Sequence, residues 1–265
     1  MYINPNWRIL TIGDGDFSFS LALSKLINPV QITATIYDSE ETLNNKYQTH
    51  KLLQLKRAGV QVLTDFDVTD KSTWQGVKTD EYDLVIFQFP LVPAFASAKK
   101  FRNSLSVNTL NRALLRAYLR NCFDCFLNTN GAKLAYITSK DVKPYIEWNI
   151  EHTLIDGLDI NYIGKMEFDF DHFPEYQIRN VDRDKHVKQT AAFTHVWGKA
   201  DSCFLTLDLI KPKTLSGDHC SICQAGPFET LPEKQSHMKG KRHVRMAEFE
   251  AKWQMYLQSE FEQTG

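Results

Sequence analysis

Short apolar runs rich in β-branched residues alternate with segments of helical periodicity over the first 210 residues of the chain. The runs are bounded by Gly, Asp or Pro, which is typical of buried strands. Seven strands are predicted, at residues 8–12, 31–37, 60–63, 84–89, 132–138, 161–168 and 203–210. Helices are predicted at residues 17–26, 40–58, 104–127 and 144–155. This alternation, closed by two consecutive strands, predicts an α/β fold whose seven-stranded sheet is mostly parallel, with helices on both faces and a terminal antiparallel pair.

The remaining segments predict how the chain is divided. Residues 169–199, rich in His, Phe, Tyr, Arg and Asp, are too long for a hairpin loop and predict a functional insertion between the last two strands. Residues 1–210 would form the large domain, followed by a polar linker at 211–218, a small module at 219–246 and a C-terminal helix at 247–265. The amphipathic pattern of that helix begins at residue 244, inside the module.

Composition narrows the class of protein. A chain of 265 residues with 43% hydrophobic residues and a net charge of -1 is typical of a globular protein. No apolar run is long enough to cross a membrane, and the N-terminus lacks the pattern of a secretory signal. We therefore expect an intracellular protein, in the cytoplasm or the nucleus and nucleolus, whose five cysteines are not disulfide-bonded. Cys122 and Cys125 are interpreted as core residues of a helix. The pattern leaves the oligomeric state open.

Four residues near the C-terminus have the spacing of zinc ligands. Two residues separate Cys220 from Cys223, thirteen separate Cys223 from His237, and five separate His237 from His243. Two thiolates on a tight turn and two imidazoles on one helix can reach the same ion. The pattern predicts a small ββα zinc finger with Phe228 and Leu231 in its core. A unit of this size needs the metal to fold, with a binding free energy of about 10 kcal/mol.

The finger carries a local excess of positive charge. Between residues 234 and 245 there are five Lys or Arg residues and no acid. The predicted RNA contacts are Lys239, Lys241, Arg242 and Arg245. The five-residue gap between the histidines resembles U1-type and double-stranded-RNA-binding fingers, and a single finger argues against reading a DNA sequence. A zinc-stabilised module that contacts another protein is the alternative.

The loop after the first strand suggests a cofactor site. Gly13 and Gly15 lack β-carbons, so a cofactor can approach the backbone. Asp14 and Asp16 would repel a pyrophosphate but accept a hydrogen bond from an ammonium, and Asp38 at the end of the second strand can hold ribose hydroxyls. These features favour S-adenosylmethionine. The predicted contacts are Gly13, Asp14, Gly15, Asp16, Phe17, Ser18, Asp38, Ser39, Asp67 and Val68. Alternatively, the acids form turns and helix caps.

The end of the fourth strand is the candidate for chemistry. The predicted catalytic residues are Gln88, Pro90, His172 and Tyr176. Gln88 could bond a base edge, with Phe89 or Phe95 stacking on the base. His172 or Asp171 could assist loss of a proton, while Tyr176 and Arg179 hold the nucleotide. The aromatic residues of this set could instead cover the edge of the sheet.

Several motifs together resemble a known family. They are Leu-Thr-Ile-Gly-Asp-Gly-Asp-Phe-Ser-Phe-Ser-Leu-Ala-Leu-Ser at 10–24, Ala-Thr-Ile-Tyr-Asp-Ser-Glu-Glu-Thr-Leu at 34–43, Asp-Leu-Val-Ile-Phe-Gln-Phe-Pro at 83–90 and His-Phe-Pro-Glu-Tyr at 172–176. Over residues 8–208 the chain resembles the 25S rRNA (uridine-N3)-methyltransferase-like domain family. The resemblance implies a Rossmann-like class I fold that uses S-adenosylmethionine to methylate uridine in rRNA. One departure is Gln-Phe-Pro-Leu at 88–91, where the family usually has Asn-Phe-Pro-His.

Three functions remain open from the sequence. The first is an S-adenosylmethionine-dependent RNA methyltransferase whose Zn²⁺-bound finger holds structured RNA, rRNA above all. The second is a methyltransferase of a small molecule or peptide, because the large domain has no overall basic excess. The third is a non-catalytic Rossmann scaffold with a finger that binds RNA or protein. Loss of cofactor binding in Asp38→Ala would separate the first two from the third.

Overall fold

A seven-stranded sheet forms the centre of the computed structural model, which describes residues 1–47, 50–93, 105–182, 184, 187–200, 202, 208–213 and 215–264. The strands are β1 Ile9–Ile12, β2 Ile32–Thr35, β3 Gln61–Leu63, β4 Leu84–Gln88, β5 Leu134–Lys140, β6 Asn161–Glu167 and β7 Ala192–Gly198. Their spatial order is β3-β2-β1-β4-β5-β7-β6. Strands β1 to β5 are parallel, and β7 is antiparallel to both β5 and β6. The predicted Rossmann-like α/β fold class is confirmed.

Helices cover the sheet. They are α1 Ser18–Leu23, α2 Glu40–Lys46, α3 Leu52–Ala58, α4 Val107–Asn121, α5 Ile150–Thr153, α6 Leu231–Lys239 and α7 Lys241–Thr264. Alternate residues of the parallel strands pack on opposite faces, so Ile9 and Leu84 belong to one core and Leu10 and Val85 to the other. Of the helices described, none is long and apolar enough to cross a membrane.

The prediction of one helix over residues 40–58 is wrong. Helix α2 ends at Lys46, and Tyr47 is extended with φ −119° and ψ 119°. The ring of Tyr47 is buried, and its hydroxyl donates to the carbonyl oxygen of Asn180 at 2.9 Å. This tertiary contact ends the helix, although the apolar spacing continues into α3.

Strand β7 was not predicted, and it lies inside the segment that was predicted as the insertion. The antiparallel partner of β6 is β7, so the insertion comprises residues 168–191 and not 169–199. Polar residues interrupt the apolar pattern of β7, so the strand was not predicted. These residues have partners inside the sheet: the hydroxyls of Thr194 and Thr138 are 2.9 Å apart, and His195 Nδ1 is 3.0 Å from the Tyr162 hydroxyl. Residues 203–207 of the predicted strand lie outside the described residues.

The C-terminal helix α7 packs against α4 of the large domain. Trp253 is fully buried, and its Nε1 donates to the carbonyl oxygen of Thr153 at 3.0 Å. Arginines of α4 form ion pairs with acids of α7. The buried Arg112 binds Glu250 at 2.8 Å, and the buried Arg116 and the partly exposed Arg120 bind Glu260 at 2.7 Å each. Burial alone would raise the pKa of Glu260, but the hydrogen bonds from Arg120 and Arg116 lower it below its usual value. The helix is therefore part of the large domain's packing, while the predicted domain boundaries stay predictions.

This packing gives a first testable expectation. Arg116→Met should lower the free energy of unfolding by about 3 kcal/mol, because it removes one partner of a buried pair. Denaturant unfolding measures the change. The control is Lys56→Met, which breaks an exposed pair with Glu40 and should cost less than about 1 kcal/mol. Equal losses in the two variants would show that the α4–α7 pairs do not hold the helix.

Candidate active site and metal cluster

A cavity of about 590 Å³ lies at the carboxyl ends of β1, β2 and β4. Ligands of open parallel α/β sheets bind at this edge, and the volume is within the range of small-molecule sites. Of the predicted cofactor and catalytic residues, those that line the cavity are Gly13, Asp14, Gly15, Asp38, Asp67, Val68, Gln88, Pro90 and Tyr176. The structure thus brings together residues from distant parts of the chain at one site.

The loop after β1 forms one wall of the cavity. Gly13 and Gly15 have φ of +62° and +60°, and a β-carbon on Gly13 would lie 2.8 Å from Phe87 Cε2. The carboxylate of Asp14 accepts hydrogen bonds from the backbone N–H groups of Phe19 at 3.1 Å and Ser20 at 2.6 Å. Burial raises the pKa of Asp14 to about 7. Asp14 is therefore a carboxyl group whose charge a nearby cation would stabilise.

Four predicted cofactor contacts do not line the cavity. The buried carboxylate of Asp16 binds Arg179 Nε at 2.6 Å, and the Ser18 hydroxyl accepts a hydrogen bond from the backbone N–H of Gln177 at 3.2 Å. Phe17 belongs to the core, and the Ser39 hydroxyl caps α2. Asp16 and Ser18 therefore hold the insertion against the loop after β1, although neither residue lines the cavity itself. The arginine predicted to hold a nucleotide, Arg179, is bound in this contact, although it also lines the cavity.

Asp38, three residues after the end of β2, also lines the cavity. Its Oδ2 accepts a hydrogen bond from Lys46 Nζ at 2.7 Å, and both side chains are largely buried. Lys46 was not among the predicted site residues. It lies eight residues after Asp38, on the helix predicted to follow the second strand, and this position could have indicated the contact. Asp67 Oδ1 accepts from the backbone N–H and hydroxyl of Thr69 at 2.8 and 2.7 Å, which holds the turn after β3. Val68 is buried beside it.

Gln88, the last residue of β4, has the least satisfied polar side chain of the cavity. It is only 6% exposed, and neither Oε1 nor Nε2 has a hydrogen-bond partner among the described residues. Leaving a buried amide unpaired is costly, so such a group calls for an explanation. The next residue, Phe89, has φ +47°, a strained conformation for an aromatic residue, and Asn111 Oδ1 fixes the loop by accepting from Val92 N–H at 3.0 Å. The unpaired amide of Gln88 therefore lies in the wall of the cavity, with both of its polar atoms buried.

The insertion contributes Tyr176 but not His172. The ring of Tyr176 is buried with Phe89, Phe168 and Phe170, and burial raises the pKa of its hydroxyl well above the usual value. Tyr176 therefore stays protonated. His172 is 68% exposed, lies 3.1 Å from an oxygen of Asp169 and does not line the cavity, so its predicted role as a base is not supported. Asp171 is also exposed, and Phe95 lies outside the described residues.

The C-terminal helix closes the cavity. Tyr256 and Glu260 of α7, together with Arg120 of α4, line it. Asn108, near the start of α4, does not line the cavity. Its amide donates to the carbonyl oxygen of Glu147 at 2.9 Å. Sequence reasoning missed the wall from α7, because nothing in the local pattern of a helix shows which distant loop it covers.

The four predicted metal ligands form a cluster. The ligand atoms of Cys220, Cys223, His237 and His243 lie within 4.8 Å of one another. His243 Nδ1 is 3.4 Å from the sulfur of Cys220 and 3.5 Å from that of Cys223. Zinc–ligand distances of about 2.3 and 2.0 Å in a tetrahedron place sulfur and nitrogen about 3.5 Å apart, so the distances from His243 to both sulfurs fit. His237 Nε2 is buried and lacks a hydrogen-bond partner in the part of the chain that is described.

The finger differs in detail from the predicted ββα unit. Gly240 is extended, with φ −66° and ψ 140°, so the two histidines lie on separate helices, α6 and α7. One antiparallel bridge, between Cys220 and Ala225, stands where two strands were expected. Phe228 packs on the cluster as predicted, but Leu231 is 67% exposed at the start of α6, so its predicted core position is wrong.

The basic residues of the finger do not all face solvent. Lys239, Lys241 and Arg242 are exposed. Arg245 instead binds the carboxylate of Glu147 on the large domain. Its predicted place among the RNA contacts is therefore not supported, because its charge is used to hold α7.

Comparisons with known proteins agree with this architecture. Residues 10–180 match the BMT5-like family, described as rRNA (uridine-N3-)-methyltransferase BTM5-like. An uncharacterized Arabidopsis thaliana protein is 32% identical over 64% of this chain and 79% of its own length. The Arabidopsis thaliana heavy metal-associated isoprenylated plant protein 41 is 28% identical over 68% of this chain, which spans about a third (34%) of that protein. A putative RNA methyltransferase from Pyrococcus horikoshii has a similar structure, with a TM-score of 0.42, 13% identity and 74% of each chain covered.

Proposed function

Because the chain belongs to the BMT5-like family of rRNA (uridine-N3-)-methyltransferases, and so is an S-adenosylmethionine-dependent methyltransferase, we propose that it methylates N3 of a uridine in structured RNA such as rRNA. The family match confirms the predicted enzyme class and supports RNA as the substrate over a small molecule or peptide. It leaves no support for a non-catalytic scaffold. The observation that carries the choice of base is the buried, unpaired amide of Gln88 in the cavity.

Residues of the cavity fit the parts of the cofactor. Gly13 and Gly15 leave backbone accessible, and Asp38 can accept from ribose hydroxyls. The partly protonated carboxyl of Asp14 becomes fully ionised beside an ammonium, which suits the amino-acid end. Val68 offers an apolar surface to an adenine. When bound, S-adenosylmethionine supplies an electrophilic methyl group on a sulfonium.

Gln88 would contact the uracil ring that receives the methyl group. Uridine N3 carries a proton whose acidity is close to that of a tyrosine hydroxyl. As N3 takes the methyl group from the sulfonium, this proton would pass to solvent water, and the charge left by its loss spreads to the two neighbouring carbonyl oxygens. A fixed Nε2–H donor at one of these oxygens stabilises that charge as it develops. Phe89 and Tyr176, whose rings stack on each other, line this end of the cavity and would contact an extruded base. The Gln88 amide therefore selects and activates the imide edge.

The finger would bind one Zn²⁺ and hold RNA. Its four ligand atoms lie within 4.8 Å of one another, and His237 Nε2 is otherwise unpaired among the described residues. The exposed charges of Lys239, Lys241 and Arg242 supply salt-sensitive affinity for phosphates. Through α7 the finger is continuous with the wall of the cavity. It would thus place bound RNA near the site of methyl transfer.

Cofactor binding and product analysis test the proposed function. Titration calorimetry should show saturable binding of S-adenosylmethionine, weakened about 10- to 100-fold in Asp38→Ala, because a charged acceptor of hydrogen bonds is lost. Asp159→Ala, which removes a 92% exposed carboxylate, is the matched control. Nucleoside mass spectrometry of rRNA fragments treated with enzyme should then identify 3-methyluridine. Methylation of another position, or of no RNA by a protein that binds the cofactor, would contradict the assignment.

A further inference from the structure

A second cavity, of about 310 Å³, lies between the large domain and the finger. The large domain contributes the ends of β5 and β7 and the segment before α5, and the finger contributes residues around Cys223 and Arg242. Lys140 and Tyr145 line this cavity and also the larger one. These two residues form a junction between the cavities, and an extended ligand that occupied both would cross it.

The charge of the second cavity favours a polyanion. Its cationic lining residues are Lys140, Lys143, Lys165, Lys211, Lys213 and Arg242, and its acidic ones are Asp141, Glu147 and Glu151. Lys165 pairs with Glu151 at 2.8 Å, and Lys143 lies 3.8 Å from Glu147 with 61% of its side chain exposed. Six cations against three acids still leave a positive excess in a chain whose total charge is -1, and such an excess in a concave site attracts anions.

The cavity also has surfaces for a base. Tyr145 is half-buried at the junction, where its ring packs edge-on against Trp148 with centroids 5.0 Å apart. Exposed Ile146 lies beside it in the lining. Aromatic rings next to cationic side chains are the usual means of binding single-stranded nucleic acid without sequence preference.

We propose that this second cavity binds the single-stranded RNA next to the target uridine. Its phosphates contact Lys143 and Arg242, and a flanking base stacks on Tyr145. This inference rests on the proposed function, because extruding a uridine into the larger cavity requires neighbouring nucleotides to cross the junction. An acidic peptide matches the charge but gives no reason for a passage into the methyl-transfer cavity. The finger thereby becomes one side of the RNA path, with Arg242 as its contact.

The test uses the zinc-loaded full chain and a short fluorescent RNA that contains uridine. The double variant Lys143→Ala/Arg242→Ala should bind this RNA at least about tenfold more weakly, with the slope of log affinity against log salt reduced by about 1.4, which is two phosphate contacts. Binding of S-adenosylmethionine should not change. Lys78→Ala, a 68% exposed lysine outside both cavities, is the control and should bind RNA like the wild type.

A photo-crosslink locates the strand independently of affinity. A 4-thiouridine placed beside the target position should crosslink to the peptide that contains Tyr145. Crosslinks elsewhere, or wild-type RNA affinity and salt slope in the double variant, would overturn the second site while leaving the proposed function intact. If an acidic peptide bound the wild type but not the double variant, while RNA bound both equally, the cavity would be assigned to a protein partner. A wild type that binds cofactor but no RNA would instead remove the proposed function itself.

Discussion

Gln88→Ala is expected to lower the rate of methyl transfer to RNA about 100- to 1,000-fold, because it removes a fixed donor to the charge that develops on the uracil edge. Binding of S-adenosylmethionine should change little, since Asp14 and Asp38 would hold the cofactor. Thermal stability should stay the same or rise, because the amide makes no hydrogen bond among the described residues. Single-turnover assays, calorimetry and thermal unfolding measure the three quantities.

The control is Gln54→Ala, the same change on an exposed face of α3. It should leave all three quantities unchanged. A Gln88→Ala protein that is destabilised by several kcal/mol, with its activity lost only in proportion to the folded fraction, would make Gln88 a structural residue. A fully active Gln88→Ala protein would sink the assignment of the base contact.

Cys223→Ser is expected to abolish stoichiometric zinc binding and to unfold the finger, because the metal supplies about 10 kcal/mol that so small a unit cannot replace. The ligand cluster and its few apolar neighbours form a core separate from the two cores of the sheet. The sheet should therefore stay folded. Elemental analysis measures the zinc, and hydrogen exchange should show lost protection of amides in α6 and the first turn of α7.

The matched control is Cys125→Ser, the same change in a half-buried thiol of the turn after α4. It should retain one zinc and a protected finger. Zinc retained by Cys223→Ser at full stoichiometry would disprove the metal site. Loss of zinc in Cys125→Ser would show that the thiols outside the cluster contribute to it.

The predicted cofactor loop lies at the larger cavity, and the four predicted metal ligands form a cluster. Glycines with positive φ, an acid that ends β2, and a ligand set within a short segment are all properties of neighbouring residues. The parallel strands were equally visible, because burial on both faces requires continuous apolar runs. Strand β7 was missed since its Thr194 and His195 find partners only on other strands.

Whether a polar residue is available at the site depends on its tertiary contacts, which no local sequence pattern contains. Asp14 and Asp16 are two residues apart and look alike in the sequence, yet Asp14 lines the cavity while Asp16 is bound to Arg179 of the insertion. Arg245 looked like its basic neighbours, but it binds Glu147. His172 matched a familiar motif and lies outside the cavity. The residue type indicated the possible chemistry. The tertiary contacts of each individual side chain determined whether it is available for that chemistry.

The walls of the larger cavity come from opposite ends of the described chain, with Gly13 after the first strand and Tyr256 on the last helix. As the ribosome makes the protein, β1 emerges long before α7. Contacts between such distant segments also form late in folding, because closing a long loop costs entropy. A nascent chain therefore carries the cofactor loop without its covering helix. The wall that α7 gives to the cavity is therefore added after the other described walls have been made.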